Sequence, residues 1–205
     1  MKSAPSLTLS FFFLFAITAI NFALSFADPS EKVLDSQEIP VSSNAKYYIL
    51  PFFSGPEGGG IAVGLAGNST CPVTVLQTTD ESDRGQAVTF AQGSSSGAIF
   101  TQKALDIAFV DKPLCASSSK WVVVSDDFPE KWVGIGNARD HPGKKILTGS
   151  FNIQRFDTGY KLVFCDSSTT CFSIGRHDDV KGRRLVLTNK PFQVSFNKER
   201  THPSL

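Results

Sequence analysis

The sequence carries almost no net charge. Its 20 lysine and arginine residues stand against 19 acidic ones, a formal +1 at pH 7. No basic stripe runs along it, so a nucleic acid, which is bound by exchanging such cations for counterions, is not an expected partner. Metal-ligand spacing is lacking too. The four cysteines form no C-x-x-C pair and no histidine stands at ligand distance from them, which argues against zinc. Gly58-Gly59-Gly60 lacks the Lys-Ser/Thr and the helix of a phosphate-binding loop and reads as a tight turn between strands. No cofactor and no metal are therefore expected. Beyond Phe26 no run is long and apolar enough to span a bilayer, so no membrane partner is expected either.

The opening segment is a different matter. Met1-Lys2 supplies a short basic start, Leu7 to Phe22 is almost wholly apolar, and Ser25-Phe26-Ala27 puts small residues where a signal peptidase reads. Residues 1–27 read as a secretory signal peptide, with residues 28–205 as one domain long enough to bury a core. The leader takes only Lys2 from the charge count, so the remainder is formally neutral. The expected localisation is secreted: extracellular, in a cell wall, or in a vacuole reached through the secretory pathway. In such a compartment an even number of cysteines implies disulfides. Four cysteines allow three pairings. Proximity favours Cys165–Cys171, which leaves Cys71–Cys115 as the long bridge. Asn68-Ser69-Thr70 is an N-glycosylation acceptor, which points to an exposed loop at Asn68.

What is present is a series of short apolar runs cut by Gly, Pro, Asn, Asp and Ser. They begin at Tyr47-Tyr48-Ile49-Leu50 and end at Phe192 to Phe196. β-Branched and aromatic residues dominate runs too short for helices, so the chain is all-β. Twelve such runs fall into three sets of four. The opening runs centre on Tyr48, Ile107 and Leu162, intervals of roughly 55–60 residues, the signature of a fold built from repeats. Three units of four strands make a β-trefoil. Gly97 to Phe109 is the one stretch that also fits a helix. Arg176-His177-Asp178-Asp179 reads as a polar hairpin loop, and Trp121 and Trp132 as core or rim aromatics.

Residues Gln86 to Phe100 hold the most ambiguous feature. Gly93-Ser94-Ser95-Ser96-Gly97 fits the Gly-x-Ser-x-Gly pattern of a hydrolase nucleophile elbow, with Asp178 or Asp179 and then His202 later in the chain. An elbow needs a strand-to-helix turn, which an all-β chain does not supply. A serine esterase using Ser95 is thus the remote alternative.

The ordered set of runs resembles a known family, the plant Kunitz-type (soybean trypsin inhibitor) proteins. Val33-Leu34-Asp35, then Pro40 and Tyr47-Tyr48-Ile49-Leu50-Pro51, are similar to its N-terminal signature. Cys71-Pro72-Val73-Thr74-Val75 resembles its first cysteine segment. Tyr160 to Cys165, Arg183-Arg184-Leu185-Val186-Leu187 and Lys190-Pro191-Phe192 resemble its last third. The resemblance implies a β-trefoil of twelve strands, disulfides Cys71–Cys115 and Cys165–Cys171, no enzymatic activity, and a role in plant defence. It implies a monomer whose partner is an endopeptidase, inhibited by one loop inserted as a substrate would be. That loop is Gly93, Ser94, Ser95, Ser96 and Gly97, with Ser95 near the residue that fills the specificity pocket (P1). Trypsin inhibitors of this kind carry Arg or Lys there, and Gln86 to Phe100 contains neither. The expected target is therefore a serine protease with a small P1 pocket, or a cysteine or aspartic protease met through another loop such as Lys112-Pro113 or Lys144-Lys145. Where the family often braces the loop with an Asn, this chain has Ser43, with Asn44 adjacent. A storage or ligand-binding trefoil without inhibitory activity is the alternative.

Overall fold

The computed structural model describes residues 29–200, apart from 54, 57, 68, 94–96, 167–169 and 180–181. Residues 1–27, expected to be a signal peptide, and Asn68, Ser94, Ser95, Ser96 and His202 lie outside the described residues.

Alternation drives the architecture. In β1 (Tyr47–Pro51), Tyr47 and Ile49 are buried; in β4 (Val88–Ala91), Val88 and Phe90; in β5 (Asp106–Phe109), Ile107 and Phe109. β9 (Gly149–Phe156), β10 (Gly159–Asp166) and β13 (Gln193–Lys198) bury Phe151 and Ile153, Leu162 and Phe164, and Val194 and Phe196. A strand with one apolar face must cover it, and closing the sheet on itself does so without leaving an edge. These six strands close a ring through β1–β4, β4–β5, the Leu105–Phe151 bridge between the β5 and β9 regions, β9–β10, β10–β13 and β13–β1.

Three hairpins cap the ring. β2 (Ile61–Gly64) pairs with β3 (Thr74–Gln77), β6 (Trp121–Ser125) with β7 (Trp132–Ile135), and β11 (Cys171–Asp179) with β12 (Gly182–Thr188). The inner strands of the hairpins meet pairwise, Thr74 opposite Gly134, Trp132 opposite Val186, and Arg184 opposite Leu76. A six-stranded barrel under three mutually paired hairpins is the β-trefoil. Its interior holds two runs of aromatic rings at centroid distances of 5.2–6.0 Å, one through Tyr47, Phe90, Phe196 and Tyr160, the other through Phe109, Trp121, Phe151 and Phe164. Both tryptophans are 2% exposed, so they are core residues.

Three sequence expectations are corrected. Among the described residues there are thirteen strands rather than twelve, because Lys145–Ile146 adds a two-residue β8 to the edge of β6. So short a segment beside charged residues shows no alternation to read. The Gly97–Phe109 stretch is not helical: its apolar residues Ile99, Leu105, Ile107 and Phe109 face the core from bridges and from β5. Arg176 to Asp179 is not a loop but the outer part of β11, with Arg176 opposite Leu185 and Asp178 opposite Arg183.

The cysteines pair as Cys71–Cys115 and Cys165–Cys171. The first closes a loop of sequence separation 44, which on chain-entropy grounds destabilises the unfolded state by about 4 kcal/mol. The second joins residues directly opposite one another on β10 and β11. Gly59 and Gly60 mark a close approach of backbones. A Cβ on Gly59 would stand 2.1 Å from the Asp83 carbonyl oxygen and 2.2 Å from that of Asp80, so the β3–β4 loop packs onto this turn only because it has no side chains.

Candidate functional site

The β4–β5 connection leaves the barrel as two legs, Ala91 to Gly93 and Gly97 to Thr101. The second leg is laced into the N-terminal segment on both sides. On one side Ser43 N donates to Gly97 O at 2.9 Å and Ile99 N to Val41 O at 2.9 Å. On the other, Val33 N donates to Ile99 O at 2.9 Å and Thr101 N to Glu31 O at 2.8 Å. The Thr101 hydroxyl accepts from Glu31 N at 3.0 Å, and the Ser30 hydroxyl donates to Thr101 O at 2.8 Å. Ile99 and Thr101 are 0% and 1% exposed, so this leg is part of the core rather than a loose strap.

The N-terminal segment is itself fixed from inside the barrel. The buried Tyr47 hydroxyl accepts from Ser42 N at 3.0 Å, and the buried Tyr160 hydroxyl from Leu34 N at 2.8 Å. Asp35, 6% exposed, accepts from Gln37 N and Ile39 N through one carboxylate oxygen, closing the turn that returns the chain at Pro40. The Val33-Leu34-Asp35 signature thus builds the wall against which the loop rests.

Of the two support candidates, Ser43 makes the contact. Besides its backbone bond, its hydroxyl lies 3.3 Å from Gly97 O. Asn44 is exposed in the adjoining turn. Gly97 has φ +66°, a left-handed conformation that favours glycine, and no heavy atom of the described residues lies within 4 Å of where a Cβ on Gly93 would stand. One residue that sequence reasoning missed is Gln92. Its side-chain amide reaches across to Phe100 and Lys103 of the other leg. The only trace in the sequence is a long polar side chain directly after a strand.

The loop's surroundings are polar but balanced. Glu31 pairs with Arg155 at 2.5 Å, and Lys32 and Lys103 are exposed. The other loops proposed for protease contact are engaged internally. Lys144 pairs with Asp126 at 2.8 Å, and the Lys112 ammonium donates to Ala116 O.

Ser95 and His202 lie outside the described residues, and of the two carboxylates considered for an esterase Asp178 is the one whose surroundings are described. Asp178 faces Arg183 at 3.4 Å, on a strand that pairs with β10 and β12 and not with β4 or β5. His177 is turned to Glu130 at 3.1 Å and against the Phe128 ring. Among the described residues no three His, Cys, Asp or Glu side chains converge as metal ligands.

A cleft of about 710 Å³ on the hairpin cap is lined by three groups with shifted pKa values, Asp126, Asp140 and His141, together with Trp132, Lys144 and Arg184. Burial pushes the His141 pKa below its ordinary value, against the hydrogen bond its Nε2 makes to Ile135 O at 2.8 Å. Burial pulls the Asp140 carboxyl upward, but hydrogen bonds from Ser117 and from Asn137 N outweigh it and hold it below the usual carboxylate range. The balance at Asp126 is similar, with Lys144 and the Trp132 indole N–H overcoming burial. Asp126 and Asp140 each tie one loop of the cap to another, and His141 ties its loop back to β7.

The family whose description reads "Trypsin and protease inhibitor", the legume Kunitz family, matches residues 33–198. The chain belongs to it. A Kunitz-type trypsin inhibitor-like 2 protein of Pisum sativum is 45% identical over 203 residues, covering 96% of this chain and 93% of that one. Subtilisin inhibitor CLSI-II of Canavalia lineata is 49% identical over 172 residues, 80% of this chain and 90% of its own. The crystal structure of a Kunitz type trypsin inhibitor from Cicer arietinum superposes with a TM-score of 0.80 at 44% identity, covering 83% of this chain and 99% of that one. The protease inhibitors of this family are not enzymes, which removes the esterase reading of Ser95.

Proposed function

We propose that this Kunitz-family protein is a secreted endopeptidase inhibitor that offers Gly93 to Gly97 to a protease cleft as a substrate would. Its targets are serine proteases with small or apolar P1 pockets, of the subtilisin or elastase kind, rather than trypsin. The observation that carries this reading is a leg, Gly97 to Thr101, hydrogen-bonded along both sides, beside a tip without a basic residue. A pre-ordered leg spares the complex much of the ordering entropy that a free peptide would lose on binding. A serine near P1 leaves the trypsin pocket's carboxylate without its cation. Losing such a partner costs several kcal/mol, on the order of a thousandfold in affinity. The Canavalia relative's name, a subtilisin inhibitor, agrees with this preference. The apolar leader ending at Ala27 would deliver the chain to the cell wall or vacuole.

A second reading, a storage or ligand-binding trefoil, draws on the open space where a Cβ on Gly93 or Gly97 would stand, which among the described residues is approached within 4 Å by the Ser43 hydroxyl, at 3.9 Å from the Gly97 position. Titration of the protein without its leader against trypsin, chymotrypsin, elastase, subtilisin and papain separates the two. Stoichiometric inhibition of subtilisin or elastase, with at most one slow cut between Ser94 and Gly97, is the expected result. Rapid cleavage there without inhibition of any of the five refutes the inhibitor reading.

A further inference from the structure

Among the described residues, the Gln92 side chain joins the two legs of the loop. The β4–β5 ladder ends at the pair Ala91–Asp106. One residue further on, the Gln92 side chain behaves like a peptide unit of the strand it faces. Its Oε1 accepts the Phe100 N–H at 2.8 Å, its Nε2 donates to Phe100 O at 3.1 Å, and the same nitrogen lies 3.3 Å from Lys103 O. Ser43 holds the Gly97 side of the loop, and a Cβ on Gly93 would meet no atom of the described residues within 4 Å. The first leg is thus joined to the second through Gln92.

We propose that Gln92 is the positioning residue of the inhibitory loop, a clasp that keeps the legs together when a bond between Ser94 and Gly97 is cut. The inference rests on the inhibitor reading above. A severed loop whose ends drift apart turns an inhibitor into a consumed substrate. A clasp across the base of the loop holds the new termini at high effective concentration, which favours resealing and slows release of the cut form.

The test compares wild type with Gln92→Met, which keeps the length and bulk of the side chain but has no amide, and with Gln92→Ala. Each is incubated with subtilisin. Nicking between Ser94 and Gly97 is followed by mass spectrometry, alongside residual inhibition and the melting temperature. The expected result is nicking about tenfold faster in both variants, with a similar rise in the nicked fraction at equilibrium, since two to three hydrogen bonds are lost. Equal nicking rates in wild type and Gln92→Met overturn the proposal. So does a lowered melting temperature with nicking unchanged, which marks a merely structural role. The two readings fail separately: wild type that does not inhibit subtilisin but is nicked tenfold more slowly than the variants keeps the clasp and removes the inhibitor. Wild type and variants that inhibit alike, with equal nicking, remove the clasp alone.

Discussion

Ile99 is where the loop and the core meet, and its truncation has a computable consequence. The side chain is fully buried two residues after Gly97, and its backbone is bonded to Val33 on one side and Val41 on the other. Ile99→Ala deletes three carbons. At ~0.8 kcal/mol each the transfer loss is about 2.4 kcal/mol, and an imperfectly collapsed cavity brings the total to about 3–4 kcal/mol. For a domain of this size that is a fall of roughly 10 °C in melting temperature. Ile99→Val deletes one carbon and should cost about 1 kcal/mol. Urea unfolding of the three proteins with disulfides intact reads these values as midpoint shifts at constant slope. Subtilisin nicking of the folded proteins should accelerate in the same order, because the leg loses its apolar anchor while keeping its backbone bonds. An Ile99→Ala variant within about 1 kcal/mol of wild type at unchanged slope would refute the claim that this leg belongs to the core.

Other expectations follow from particular contacts. Ser95→Arg restores a cation near P1 and should tighten trypsin binding on the order of a thousandfold, read from an inhibition titration; no gain would mean that Ser95 does not enter the pocket. Gly59→Ala drives a Cβ into two backbone carbonyls and should destabilise severely, whereas Gly93→Ala meets open space and should shift the melting temperature by no more than a degree or two. His141 titrates below its ordinary value in the folded protein, so the unfolded chain takes up the proton first as pH falls. Stability present above about pH 6.5 is therefore lost as pH drops toward the folded pKa, and melting temperatures of His141→Gln should be flatter between about pH 7 and 5. The lowered carboxyls of Asp126 and Asp140 add a second loss below about pH 4.

The legibility of the site was uneven for physical reasons. The Ser43–Gly97 contact could be anticipated because a glycine run and a family-spaced polar residue leave marks in the sequence. Gln92 could not, because its role depends on where Phe100 returns, and no local pattern encodes the gap between two legs. Arg176 to Asp179 misled because charge on the solvent side of a long hairpin looks like loop composition. Lys145–Ile146 was invisible because its strand character comes entirely from its neighbour β6.

The sequence by itself determined the all-β class, the threefold repeat and the cysteine framework, since alternation, spacing and residue type are local or periodic quantities. Only the tertiary structure decided how the loop is held. The bonds that hold it join residues 30–33 and 41–43 to 97–101, and Gln92 to Phe100. Closing the barrel brings those segments together; before it closes, nothing in their own sequence makes them neighbours.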